Sequence, residues 1–443
     1  MLPTNWKKED FSITSLSNNL VQSCKSNPLC SPSAGFKIAL TGLSPKSKTL
    51  SCLTNPGQNS TIGRVSIPST KIGVPANTSF EVVIEKYNTA LWDLCQELIV
   101  KGWTFLQKFP IMLTMNKVQK YITRATELTA IMVSKVITDS GFTPQDLLTE
   151  EESIKREKII DQAGVDAMRT SLTDVPFVLE VVGSEGRKHI HQYGEALPTL
   201  EGVFGTGNLK LDMVNDVVEG SKAAKLNNPG AVSVIAVSSH KGLMATPSDI
   251  DYMDKLFGPP QLKNKISIKK SIEENLSEAV ETFKVAPYKI NVVIMDRDRN
   301  AHYINACQKF GVNVILIKAG DFLPSILSCL DPNTHKKGIH LVIGSGGFEE
   351  GVLAAVAGKA LAAAVEGRGW SGDMEIQSKY TKIWSIDDLV SGKKKDCFVS
   401  VSVITHENKW FDLDGVKKEN NENAVTTLSI SSKGLKISRN IHH

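Results

Sequence analysis

From about residue 288 the chain alternates short apolar runs with helical stretches, and this alternation limits its fold more than any other feature. Ile290–Met295, Val312–Ile317 and His340–Ile343 are apolar runs. Each precedes a stretch with helical spacing, near His302–Phe310, Phe322–Leu330 and Gly351–Val365 respectively. Runs that are apolar throughout, rather than at every second position, belong to strands buried on both faces, as in a parallel sheet covered by helices. Upstream, residues 156–287 mix helices with strands near Val178–Val182 and Val232–Val237, and Phe398–Ile404 adds a further strand. The spacing predicts an α/β protein of two lobes, 116–287 and 288–443.

Ahead of these lobes, Glu81–Trp103 and Asn116–Thr138 carry apolar residues three and four apart, with Pro110 between them. Both read as helices, the first forming a helical extension over 78–115. Asp139–Glu152 reads as a surface loop opening the next helix, its three consecutive acids forming a solvated helix start. Lys417–Asn423 reads as a polar loop. No internal repeat is apparent, and no apolar stretch approaches the roughly 20 residues that span a bilayer.

The charge is unevenly spread. Lys and Arg total 51 against 47 Asp and Glu, but residues 1–80 hold eight of the bases and only two of the acids, Glu9 and Asp10. Removing those leaves 43 bases and 45 acids, a net charge of −2 beyond position 80. Such a balance gives no electrostatic footprint for nucleic acid. From Phe11 to Phe80 there is no acid, and Ser and Thr abound. Acid-poor, Ser-rich and mildly basic composition is that of an organelle transit peptide. Lys dominates over Arg, which favours the chloroplast, so residues 1–77 are expected to be a disordered transit peptide directing the protein to the plastid stroma. Of seven cysteines, Cys24, Cys30 and Cys52 lie in this leader. Cys95, Cys307, Cys329 and Cys397 are far apart, which argues for buried free thiols over a zinc site or disulfide framework.

Three segments carry residue types suited to chemistry at strand ends, where α/β sheets bind ligands. Asn215-Asp216-Val217-Val218-Glu219-Gly220-Ser221 sets two carboxylates three apart before a glycine and a hydroxyl. Oxygen ligands of that kind suit Mg²⁺ shared with a phosphate, although acids three apart are commonly a solvated helix face. Gly344-Ser345-Gly346-Gly347-Phe348-Glu349-Glu350-Gly351 follows a strand and opens an Ala-rich helix. It fails the dinucleotide pattern G-x-G-x-x-G because Glu349 stands at the third glycine, yet a carboxylate there suits a metal and the helix dipole. A glycine-rich turn capped by Glu is the alternative. Met295-Asp296-Arg297-Asp298-Arg299 ends a buried-type strand; its arginines either grip a phosphate or form local salt bridges.

Together these segments resemble the class II fructose-1,6-bisphosphatases, including the cyanobacterial enzymes that also cleave sedoheptulose-1,7-bisphosphate. Asp216 through Pro229-Gly230-Ala231-Val232-Ser233-Val234-Ile235-Ala236 is similar to that family's metal and phosphate segment. Asp251-Tyr252-Met253-Asp254-Lys255-Leu256 resembles its tyrosine-containing substrate segment, and Asp161-Gln162-Ala163-Gly164-Val165-Asp166-Ala167-Met168-Arg169 its first metal-ligand helix. Gly347–Leu361 resembles its last metal-ligand turn, and Arg124-Ala125-Thr126-Glu127 the start of its domain. The resemblance spans roughly 116–441, in the family's order. It implies a sugar-phosphatase layered α/β/α/β/α sandwich related to inositol monophosphatases. It further implies Asp161, Glu185, Asp216, Glu219 and Glu350 as ligands of Mg²⁺ or Mn²⁺, and Gly220 and Ser221 as the cradle of the scissile phosphate. Tyr252, Arg297 and Arg299 would hold the sugar and the distal phosphate, with Gly320 and Asp321 near the sugar.

The sequence departs from the family at three places. Where the family has Gly-Glu-Gly-Glu-Ile-Asp-Glu, whose later acids assist the attacking water, this chain has Gly183-Ser184-Glu185-Gly186-Arg187-Lys188-His189 and is shorter. Glu185 survives, while Arg187, Lys188 and His189 replace the acids, so the catalytic residue is unassigned. A Gly-Asp-Lys turn before Asp161 is replaced by Lys155-Arg156-Glu157-Lys158, and an Asp-Gly-Asp sugar contact is reduced to Ala319-Gly320-Asp321. Two readings follow: a metal-dependent hydrolase of a sugar bisphosphate in plastid carbohydrate metabolism, expected as a homo-oligomer, or a catalytically degenerate relative serving as a binding or scaffold subunit of a plastid complex. A nucleotide-binding protein using 344–351 is a distant third.

Overall fold

The computed structural model describes residues 61–67, 80–86, 115–184, 197–406 and 408–442. Residues 1–111 and 112–443 are separate compact units. In the first, strands β1 (Thr61–Ile67) and β2 (Phe80–Lys86) pair antiparallel, with Thr61 opposite Lys86 and Ile67 opposite Phe80. The helix expected over 81–103 is therefore replaced by strand at least to Lys86. Val82, Val83 and Ile84 are β-branched, which suits a pleated strand better than a helix turn. The remainder of that expected helix, 87–103, lies outside the described residues, as do residues 1–60 of the leader.

The second unit begins with helix α1 (residues 115–139) and α2 (Glu150–Leu172). Thr149 caps α2 in a capping box with Glu152, and Glu150–Glu152 fill its first turn, the solvated acidic start read from the sequence. Such a cap stabilises a helix by about 1 kcal/mol.

The strands form two mixed sheets. One, of eight strands, contains β3 (Val178–Ser184), β4 (Val203–Phe204), β5 (Lys210–Glu219), β6 (Val232–Ser239), β13 (Phe398–Val403), β14 (Lys417–Glu419), β15 (Glu422–Ser431) and β16 (Gly434–His442). The other, of six, runs in the order β12-β11-β7-β10-β8-β9: Trp384–Ser385, Ala364–Trp370, Tyr252–Gly258, Ile339–Gly347, Asn291–Met295 and Asn313–Ile317. Its β10-β8-β9 part is parallel, as the alternation predicted, whereas β7 runs antiparallel to both of its neighbours, β10 and β11. The exchange of chain between sheets falls elsewhere than 287/288. Strand β7 already belongs to the six-stranded sheet, and β13–β16 return to the eight-stranded one.

Alternation along the strands builds three cores. On β6, Val232, Val234 and Ala236 face an inner core while Ile235 and Val237 face an outer one with α1 and α2. On β8, Val293 faces the inner core, and Val292 and Ile294 face a third with α4 (Ile272–Phe283) and α5 (Ala301–Phe310). Between the sheets lie α6 (Phe322–Ser328), buried throughout, and α7 (Phe348–Leu361), which touches both. The layers thus run helix, sheet, helix, sheet, helix. An Ala-rich α7 suits this position because small side chains let two sheets approach one helix. A short α3 (Ser221–Ala224) follows β5.

Two boundaries differ from the sequence reading. The helix expected to run to Val365 stops at Leu361, because Ala362 turns left-handed (φ 63°) and Ala364 starts β11. The expected loop 417–423 is a hairpin: Glu419 pairs with Glu422 across Asn420 and Asn421, both at positive φ, the two-residue turn that asparagine tolerates. Cys307, Cys329 and Cys397 are free and buried, and Cys95 lies outside the described residues. Among the described residues, no helix is long and apolar enough to cross a membrane.

Candidate active site

The site is built where strands end. Residues three apart on a regular strand face opposite sides, so Asp216 and Glu219 ought to diverge. They do not, because Asp216 lies opposite Val234 and Glu219 opposite Val232: three steps along β5 match two along β6. One extra residue is bulged out, Val217 and Val218 both pack into the outer core, and both carboxylates share the inner face with Val232 and Val234. Asp216 Oδ1 accepts from the backbone N–H of Val218 at 3.1 Å, closing the bulge. Both carboxylates are buried.

Directly after them Gly220 takes φ 87°, and a Cβ there would press on the Ala231 backbone at 3.3 Å. Glycine allows this left-handed turn without strain, and Ser221 then opens α3. The turn is braced against α2: Lys225 Nζ pairs with Glu157 Oε1 at 2.6 Å and bonds Ser153 Oγ, while Arg156 bonds Asp146 and the carbonyl of Lys225. The Lys155–Lys158 segment thus anchors α2 to the turn after β5. Asp161, buried, follows one turn later on α2. It is one turn before Gly164, whose missing Cβ lets the helix rest on Val217 and Val218 of the bulge.

Glu219 reaches across to the second sheet. A Cβ on Gly320 (φ 75°) would come 3.3 Å from Glu219 Oε1, so the turn leaving β9 touches the carboxylate leaving β5. Next to it, Asp321 is buried and held by Lys255 of β7, whose Nζ lies 3.0 and 2.9 Å from its two carboxylate oxygens. At the end of β10, Glu350 in the first turn of α7 folds back over Gly347, where any side chain would occupy the place of its carboxylate. Acids in a first helical turn are favoured by the helix dipole.

Arg299 closes the opposite side. Its Nε donates to the carbonyl of Ser345 at 3.1 Å, and its guanidinium lies over the Tyr252 ring, 4.4 Å from the centroid. Asn300 fixes this arrangement by accepting from the Ser345 N–H at 2.7 Å and donating to the carbonyls of Met295 and Ser345. Burial lowers the pKa of Arg299, as does Arg297, while Tyr252, Asp321 and Glu350 act in the other direction. Arg297 is used differently: its guanidinium donates to the carbonyls of Asp296 and Lys318, tying the exits of β8 and β9 together. The two arginines do not project from one strand, because residues 298–300 form a 3₁₀ turn.

Glu185, Arg187, Lys188 and His189 lie outside the described residues. Strand β3 ends beside them with Ser184 opposite Asn215, so the chain leaves β3 next to Asp216. Contacts described here join Glu219 with Gly320, Asp321 with Lys255, Glu350 with Gly347, and Arg299 with Tyr252. Sequence reasoning quotes Lys255 and Arg156 only as members of longer segments and misses Asn300; a lysine inside the apolar strand Tyr252–Gly258 is the available signal for the first. A separate group lies toward the other end of β5, where ligand atoms of Glu180, Asp212 and His240 fall within 4.8 Å of one another, close enough to share a cation. There Asp212 also accepts the backbone N–H groups of Lys241 and Leu243.

A five-layer α/β fold with buried carboxylates and glycine turns at its strand ends is consistent with an α/β phosphatase. Residues 150–443 match the family model described as bacterial fructose-1,6-bisphosphatase, glpX-encoded. The chain is 31% identical over 267 residues to the D-fructose 1,6-bisphosphatase class 2/sedoheptulose 1,7-bisphosphatase of Synechococcus sp. (strain JA-2-3B'a(2-13)), covering 54% of this chain and 75% of that one. It is 32% identical over 221 residues to the protein of the same description from Thermosynechococcus vestitus, covering 48% of this chain and 62% of that one. The chain belongs to the class II fructose-1,6-bisphosphatase family.

Proposed function

We propose that this chain is a divalent-metal-dependent phosphomonoesterase acting on fructose-1,6- or sedoheptulose-1,7-bisphosphate. The observation that supports it most is the β5 bulge, which turns Asp216 and Glu219 to the same inner face, with Glu219 against the Gly320 turn. An all-oxygen set of buried carboxylates suits Mg²⁺ or Mn²⁺. Asp161, Glu185, Asp216, Glu219 and Glu350 would hold the metal. When bound, it supplies charge neutralisation of phosphate oxygens and a lowered pKa for water.

The remaining roles belong to the chain itself. Gly220 and Ser221 present backbone and hydroxyl donors to the scissile phosphate, and Arg299, with Arg297 beside it, takes the distal phosphate. Tyr252, Gly320 and Asp321 border the sugar, and Asp321 is fixed in place by Lys255. Release of inorganic phosphate from either bisphosphate with Mg²⁺ or Mn²⁺ tests this reading. Turnover well above that of Glu219→Gln is expected; equal rates would overturn it.

The substitution of Arg187, Lys188 and His189 for family acids favours a second reading, a non-catalytic binding or scaffold subunit in a plastid complex. Native protein isolated as a free, active homo-oligomer would exclude that. The acid-poor leader and the cyanobacterial origin of the similar proteins support the plastid stroma as location. Import of a fusion to residues 1–80 into isolated chloroplasts tests it.

A further inference from the structure

The six-stranded sheet places Trp370, the last residue of β11, directly opposite Tyr252, the first of β7. Their rings meet edge to face, with centroids 5.8 Å apart and planes at 83°. Arg299 joins them: its guanidinium carbon is 4.4 Å from the Tyr252 centroid and 5.9 Å from that of Trp370. The three side chains form one contiguous cluster. Among the described residues, the Nε bond to Ser345 is the only hydrogen bond Arg299 makes.

Each partner restricts a different motion. The Ser345 carbonyl fixes the guanidinium at Nε, and the Tyr252 face fixes its plane. Without a third contact, Tyr252 could turn about its own side-chain torsions and carry that plane with it. Trp370 blocks the turn by pressing on the Tyr252 ring, and it adds a second aromatic face within reach of the cation. Aromatic pairs and cation–π contacts hold such geometry with modest energies that grow as water is excluded. Cross-strand neighbours on one face are the pairs that interact most in a sheet.

We propose that Trp370 is a positioning residue that holds the Arg299 guanidinium flat on Tyr252, with its η nitrogens directed at the distal phosphate of a sugar bisphosphate. Trp370 needs no contact with the phosphate being cleaved. This inference rests on the substrate reading given above, and its test separates the two.

The variants are Trp370→Leu, which keeps apolar bulk without a ring, and Trp370→Phe, which keeps a ring. In buffer containing EDTA, where metal-dependent turnover stops, calorimetry measures binding of fructose-1,6-bisphosphate and of fructose-6-phosphate. Trp370→Leu is expected to weaken the bisphosphate by about 5- to 10-fold. It should change the monophosphate by less than about 2-fold, and Trp370→Phe should recover most of the loss. In parallel, labelling by phenylglyoxal, mapped to Arg299 by mass spectrometry, needs no substrate. It is expected to speed up several-fold in Trp370→Leu and little in Trp370→Phe. Unchanged Arg299 labelling in Trp370→Leu overturns the positioning role. If labelling changes but wild type binds neither sugar phosphate, the substrate reading and the assignment to a distal phosphate both fall.

Discussion

The Nζ of Lys255 lies 3.0 and 2.9 Å from the two carboxylate oxygens of Asp321, and both side chains are buried. This pair joins β7 to the turn that brings Gly320 against Glu219. Removing one member of a buried ion pair strands the other charge, at a cost of about 3–5 kcal/mol. Lys255→Met should lower unfolding free energy by about that much, read from urea titrations. The double variant Lys255→Met/Asp321→Leu should recover most of the stability, and a single variant as stable as wild type would show that the pair is not buried as described.

Gly347 leaves the space that the Glu350 carboxylate occupies. In Gly347→Ala the carboxylate has to move, with no backbone strain to confound the effect, since Gly347 has φ −57°. Displacing a metal-binding group or its support commonly weakens metal affinity by about 10- to 100-fold. Titrating Mn²⁺ against phosphate release, or against thermal midpoint, should show a shift of that size. Unchanged Mn²⁺ dependence would remove Glu350 from the metal site.

Two carboxylates, Asp146 half-buried and Asp388 exposed, make the stability acid-sensitive. Asp146 is held at about 2, first by the backbone N–H of Thr143 and next by Arg156. Asp388 is also held at about 2, first by Lys382 and next by Ser385. Their folded values lie below the roughly 3.9 of an unfolded aspartate, so the folded state binds fewer protons. Their contribution is complete above about pH 4 and is lost as pH falls toward about 2. The thermal midpoint of Asp146→Asn/Asp388→Asn should therefore fall less steeply over that window than that of wild type. Equal slopes would exclude both groups.

What the sequence made legible was set by regular periodicity. The parallel strands β8, β9 and β10 and the helix after each of them could be read because the strand runs are apolar on both faces. Strand β5 could not, because its bulge breaks the two-residue period at the very residues that matter, leaving two acids at what looks like helical spacing. Strand β11 was hidden by Ala362, which ends α7 in a left-handed turn without the glycine that usually marks one. The Asn420-Asn421 turn was hidden in the same way among polar residues. Of the site, the carboxylates and arginines were readable as residue types, but Lys255, Asn300 and Trp370 act only through partners brought from distant strands.

The claim on which the rest depends is that Asp216, Glu219 and Glu350 turn toward one space between the sheets and hold a cation there. Crystals soaked in Mn²⁺ and measured for anomalous scattering test this directly. Peaks about 2.1 Å from carboxylate oxygens of these three residues are the expected result. Peaks confined to Glu180, Asp212 and His240, or none at all, would contradict it.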